Sequence, residues 1–147
     1  MSLDVAGPVT RPGPAFLRWS PALAVLIAFV TLTCMAAWAQ PVGDPVRGED
    51  LYSRCMGCHA LERNRTGPQH CGLIGRQAGT LDGFRFSEAM TNSGIVWTVV
   101  ELDRFLADPL GTVPGTRMGY AGIQDAQVRT DLIAFLLAAN QDAGRCP

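Results

Sequence analysis

The most specific chemistry in the chain lies in five consecutive residues, Cys55-Met56-Gly57-Cys58-His59. Two thiols three positions apart on a helical turn can reach the two vinyl groups of one porphyrin and become thioethers. The histidine that follows then lies beneath the iron as an axial ligand. C-x-x-C-H is therefore the attachment spacing of a c-type haem. The competing readings are a chance C-x-x-C beside a histidine, or a thioredoxin-like redox motif. The second would need a βαβ pattern around it, and none is visible. The chain holds only two histidines, His59 and His70, which argues against coincidence.

An iron with histidine on one side takes methionine on the other in many such sites. Of the five methionines, Met1 and Met35 fall in the N-terminal segment, and Met56 lies between the attachment cysteines, where it cannot cross the ring. Met90 and Met118 remain. Met118 sits in Val113-Pro114-Gly115-Thr116-Arg117-Met118-Gly119-Tyr120, a loop whose Pro and Gly preset the backbone and can hold a thioether without a helix around it. Met90 lies in the capped turn Ser87-Glu88-Ala89-Met90, closed by Gly94, and reads as core. Met118 is thus the expected sixth ligand. His70, its weaker rival, follows Gln69 after a proline turn and reads as a solvated loop histidine.

Composition narrows the remaining chemistry. The chain has 147 residues, 48% hydrophobic and 17% charged, and a net charge of −1. That balance excludes a disordered chain and a protein reading nucleic-acid phosphates through a basic face. All 12 cations are arginine. A catalytic lysine, a Schiff base and a P-loop are therefore impossible, and two histidines cannot build a zinc site on several imidazoles.

Residues 1–39 read as a targeting segment. Residues 1–18 carry Arg11 and Arg18 against one acid, and no charge occurs from Trp19 to Ala39. A positive start, an apolar middle and the exit Ala37-Trp38-Ala39 describe a signal peptide cut after Ala39. The uncharged stretch is also long enough to stay in a membrane as an anchor. A third alternative attaches lipid at Cys34, although Thr33 before it is bulky for such a site. In each case the domain at 40–147 is exported, the expected compartment being the periplasm, or the periplasmic side of the inner membrane if the leader is retained.

Helix signals surround the motifs. Asp44 and Pro45 start a helix that runs into the haem motif. Thr98 with Glu101 makes a capping box for a helix that Pro109 stops. Asp125 caps a last helix with apolar residues at Val128, Leu132, Phe135, Leu136 and Ala139. No stretch alternates with period two for long enough to form a sheet. The expected fold is all-α, short helices wrapped around one ring.

From about Gly48 to Leu136 the chain resembles a class I cytochrome c, the bacterial relatives of the mitochondrial monohaem electron carrier. The likeness rests on Thr66-Gly67-Pro68, Gly72-Leu73-Ile74-Gly75-Arg76, Asn92-Ser93-Gly94-Ile95-Val96-Trp97, Pro114-Gly115-Thr116-Arg117-Met118 and Asp131-Leu132-Ile133-Ala134-Phe135-Leu136, in that order. The resemblance implies the cytochrome c fold and one haem c bound through Cys55 and Cys58. It implies that Gly48 lets the first and last helices cross closely, with Tyr52 packed on Leu132 and Phe135. It further implies that the Pro68 carbonyl accepts the outer N–H of His59, and that Arg76 and the Trp97 indole hold a haem propionate.

Some positions depart from the family. Phe105 and Phe86 stand where the family often has tyrosines, which deletes two hydrogen-bond donors beside the cofactor. The potential is therefore expected to differ from the family's usual value. The lysines that usually ring the exposed haem edge are absent; Arg54 and Arg117 fall on matching positions and Leu110 replaces a cation. Docking should accordingly be steered less by charge and depend less on salt.

Setting aside Cys34, Cys55 and Cys58 leaves Cys71 and Cys146. In an oxidising compartment they read as a disulfide, with two free surface thiols as the alternative. Arg63 and Arg65 read as solvated charges, Met56 as a porphyrin-edge or exposed side chain, and Tyr120 and Phe84 as core or pocket wall.

Three functional readings compete. In the first, His59 and Met118 fill both axial positions, and the chain is a monomeric exported carrier serving an oxidase, reductase or dehydrogenase. A peroxidase or gas-binding protein needs an open axial position and a polar distal base, which Met118 would deny it. A membrane-anchored cytochrome subunit of a respiratory or dehydrogenase complex would need the leader to remain.

Overall fold

Helix α1 (Pro45–Tyr52) begins where its cap dictates. The Asp44 carboxylate accepts the N–H groups of Val46 and Arg47, and Pro45 sits in the first turn where its missing N–H costs nothing. The computed structural model describes residues 43–147. The expectations for 1–39, including the leader, its cleavage point and Cys34, lie outside the described residues.

The short α2 (Glu88–Thr91) is capped by Ser87, whose hydroxyl accepts from the Met90 N–H. In α3 (Val99–Ala107) the Thr98 hydroxyl accepts from the Glu101 N–H, as expected. The capping box, however, is only half formed. The Glu101 carboxylate turns outward to Arg104 at 2.6 Å, and the Thr98 N–H donates to the Val96 carbonyl at 2.7 Å. An i,i+3 ion pair on the exposed face has displaced the reciprocal cap. Pro109 ends α3 and opens one more turn, α4 (Pro109–Thr112), capped by Asp108. The last helix, α5 (Ala126–Gln141), starts at Asp125, which accepts from the N–H groups of Gln127 and Val128.

The packing centre is the crossing of α1 and α5. A Cβ at Gly48 would run into the Asp131 carbonyl and lie 2.8 Å from the Phe135 Cβ, so only glycine allows this approach. Tyr52 packs its ring on Phe135 with centroids 5.1 Å apart and shares the core with Leu132. At the same crossing Asp131 is 1% exposed, the one buried charge among the described residues. Its carboxylate accepts from Arg47 at 2.6 and 3.0 Å, from the Asp44 N–H at 2.9 Å and from Gln127 at 2.9 Å. Those donors, Arg47 foremost, hold it well below the usual carboxylate range.

Leu102, Phe105 and Leu106 of α3 complete the core with Leu132 and Leu136 of α5. The chain then returns along the end of α3. At Gly122, φ is +88° and a Cβ would meet the Ala107 carbonyl, while the Ile123 N–H donates to the Leu106 carbonyl at 2.8 Å. Among the described residues there is no strand, only an antiparallel bridge between Gln77 and Val96. The fold is all-α, as the periodicity implied.

Cys71 and Cys146 are joined as a disulfide that spans 75 positions and ties the C-terminal tail to the loop before Leu73. Arg145 adds a two-pronged ion pair to Glu49 on α1 at 2.7 and 3.1 Å. Among the described residues no helix is long and apolar enough to cross a membrane.

Candidate functional site

A cavity of about 310 Å³ is lined by Cys55, Cys58, His59, Pro68, Arg76, Trp97 and Met118. Cys55, Cys58, His59 and Met118 were expected from motif and loop, and Pro68, Arg76 and Trp97 from the family resemblance; all seven come from loops and turns spread over most of the described chain. Much of the remaining wall is apolar, with Leu73, Leu102, Phe105, Leu106, Leu132 and Leu136 contributing.

On one side stands His59. Its backbone N–H donates to the Cys55 carbonyl at 2.8 Å, the last bond of the helical turn that carries both thiols. Its Nδ1 lies 2.8 Å from the Pro68 carbonyl and donates to it, so the ring presents Nε2 as its free donor of electrons. Burial lowers the pKa of the imidazole and opposes its charging, and the Pro68 bond partly offsets that effect. Cys55 and Cys58 are free thiols, and burial pushes the Cys55 thiol up, keeping it protonated. Gly67 packs directly on the imidazole; a Cβ there would lie 2.6 Å from Nε2.

His70 departs from its reading as a solvated loop residue. It is partly buried, its ring is stacked on His59 with centroids 4.4 Å apart and planes 20° apart, and its Nδ1 lies 3.0 Å from the Tyr52 hydroxyl. Burial, and then the charges of His59 and Arg76, push its pKa down to about 3, so the ring is neutral. Burial also drives Tyr52 up to about 12. The Tyr52 hydroxyl shares this hydrogen bond with Nδ1 and has no other partner among the described residues. Stacked on His59, His70 cannot serve as a ligand facing it across a ring.

Met118, which lines the same cavity, is partly buried in the loop after α4, with its N–H on the Thr116 hydroxyl at 3.2 Å. Arg117 fastens this loop across the cavity mouth, donating to the carbonyls of Phe86 at 2.6 Å and Arg85 at 3.3 Å. Phe105 and Trp97 meet edge to face at 5.1 Å. Met90 is 7% exposed and belongs to the core, as read, but it also lines the cavity. Tyr120 and Phe84 line it too, whereas Met56 is exposed.

The two residues expected to meet a propionate differ in readiness. Arg76 spends donors on the carbonyls of Cys71 at 3.0 Å and Gln69 at 3.3 Å, which leaves three of its five N–H groups. The Trp97 ring is 8% exposed, and its indole N–H has no acceptor among the described residues. Such a donor set could hold a haem. It offers two free thiols, an imidazole nitrogen, a thioether, donors for a carboxylate, and apolar walls for a flat ring.

Sequence reasoning missed the Tyr52–His70 bond, the contact of Gly67 with His59, and the buried Asp131. The last left a faint signal, an acid directly before the apolar run Leu132-Ile133 with Arg47 near the start of the first helix.

No protein-family model matches the chain. Curated relatives do. Cytochrome c2 of Blastochloris viridis is 38% identical over 119 residues, covering 78% of this chain and 94% of that protein. Cytochrome c2 of Rhodopila globiformis is 46% identical over 99 residues, covering 65% of this chain and 93% of that protein. The solved structure of cytochrome cH from Methylobacterium extorquens superposes with a TM-score of 0.64 at 41% identity, covering 65% of this chain and 99% of that one. Identity at this level over almost the whole length of those relatives, on a shared backbone, makes the chain a member of the class I cytochrome c family.

Proposed function

We propose that the chain is an exported monohaem cytochrome that passes single electrons between protein partners. Members of this family are electron carriers and not enzymes. The observation that carries the finer reading is that Cys55, Cys58, His59 and Met118, read from motif and loop, line one cavity with Pro68, Arg76 and Trp97, which the family resemblance implies.

Haem c, when bound, supplies a one-electron couple between Fe(III) and Fe(II). The chain's own residues do the rest. Cys55 and Cys58 fix the porphyrin edge by covalent bonds, which removes cofactor loss from the redox cycle. His59 offers Nε2 to the metal while the Pro68 carbonyl holds the opposite nitrogen, 2.8 Å away, and sharpens the ring's basicity. Met118 would supply a thioether as a second ligand to the iron, in keeping with a carrier that binds no substrate there. The remaining donors of Arg76 would pair with a propionate and the Trp97 indole N–H would donate to it, a charge that the apolar wall could not bury alone. Phe105, Leu102 and Leu106 keep water out and favour the less charged Fe(II) state.

Residues 1–39 act in this reading as the export signal, with 40–147 as the mature periplasmic domain; a disulfide between Cys71 and Cys146 suits that compartment. Arg54 and Arg117 line the cavity and Leu110 is 50% exposed on the surface; two cations without lysines suit partners of weak charge complementarity. Redox titration of the purified protein tests the reading. A positive midpoint potential with one covalent haem per chain is expected; a potential well below zero, or no covalent haem, would overturn it.

A further inference from the structure

We infer that Tyr52 and His70 form a positioning device that sets the plane of the His59 imidazole, a role that rests on the haem reading above. The bond from Nδ1 to the Pro68 carbonyl holds one atom of the His59 ring, and Gly67 packs against the imidazole without presenting a side chain. His70 adds a flat surface, lying against His59 at 4.4 Å with the planes within 20°. An aliphatic side chain could fill the same space, but it would not define a plane.

For this to work, His70 must itself be immobile, and four independent contacts make it so. Its backbone N–H is shared by the carbonyls of Ala60 at 3.1 Å and Leu61 at 3.0 Å. Arg76 holds the carbonyls of Gln69 and Cys71 on either side of it. Cys71 is tied to Cys146. Finally, the Tyr52 hydroxyl takes Nδ1 at 3.0 Å, fixing the ring's rotation. Tyr52 in turn is wedged by Phe135 at the α1–α5 crossing. The helix crossing is thereby linked, through one hydrogen bond and one ring stack, to the imidazole beside the cofactor cavity. His70 touches neither iron nor substrate in this scheme; it acts through His59.

The test uses the full haem-loaded protein and the ferric low-spin electron paramagnetic resonance spectrum, whose g-values report the axial ligand plane, together with the midpoint potential. His70→Leu is expected to move the g-values and the potential. His70→Phe, which restores a flat ring, is expected to return the g-values towards wild type. Tyr52→Phe, which deletes only the hydroxyl, should give a smaller shift in the direction of His70→Leu. Wild-type g-values and potential in His70→Leu would overturn the proposal even if its melting temperature fell, and so would failure of His70→Phe to restore the g-values. If His70→Leu does not fold, Tyr52→Phe decides alone: a shift supports the device and unchanged spectra overturn it. A wild-type protein with no low-spin ferric signal would defeat the haem reading itself and leave the stacking geometry untouched.

Discussion

The two sides of the cavity are built on different physics. The His59 side is a run of turns fastened by bonds: the Pro68 carbonyl, the His70 stack, Arg76 on two carbonyls, and the disulfide to Cys146. The Met118 side is held mainly by packing. Met90, Phe105 and Leu106 supply apolar surface, and the loop itself is secured by the Thr116 hydroxyl and the two bonds of Arg117. Bonds fix direction, whereas packing fixes volume and excludes water. One side of the site is therefore suited to orienting a ligand and the other to setting the polarity around it.

Substitutions can break this contrast, and the largest effect is expected on the packed side. Phe105 is 5% exposed. Phe105→Ala should cost about 4 kcal/mol, measured by denaturant unfolding, because it empties a buried aromatic site. It should also weaken the spectral signature of methionine ligation, since it removes the largest apolar side chain named on that side. On the bonded side, replacing Cys71 and Cys146 by serine should cost up to about 4 kcal/mol by the chain-entropy estimate. The methionine signature should survive that change; its loss would show that the two sides are not independent.

A third test sets the helix crossing against both sides. The Asp131 carboxyl titrates below its unfolded value, so its stabilisation is complete above about pH 4 and fades as pH falls towards the folded value. The denaturation midpoint of the wild type should therefore drop between pH 5 and pH 3, and Asp131→Asn should show a shallower drop from a lower start. The smallest effect belongs to the latch. Arg117→Ala should cost about 1 kcal/mol, since its bonds run to carbonyls at an exposed position, and should leave the His59 side unchanged by nuclear magnetic resonance.

What could be read from the sequence was local. Asp44, Ser87, Thr98 and Asp125 cap the helices expected of them, because a cap needs only its own next three residues. Cys55, Cys58, His59 and Met118 were legible because C-x-x-C-H and the Pro-Gly loop carry their chemistry in their spacing, whereas Pro68, Arg76 and Trp97 followed only from the family resemblance. The capping box at Thr98 failed in half because Glu101 had a second partner, Arg104, within one turn. His70 was misread for a different reason. Its partners, Tyr52 and His59, are brought to it by the loop's path, and a histidine in a polar turn looks solvated until that path is known. Asp131 was likewise hidden, since Arg47 lies 84 positions away.

The proposed function turns on a haem iron that His59 and Met118 would grip together. The ferric absorption spectrum at its red end probes this grip most directly, because a band there accompanies methionine bound to iron. The band is expected in the wild type, retained in Met90→Leu and lost in Met118→Ala. A spectrum of Met118→Ala that matches the wild type would contradict the account.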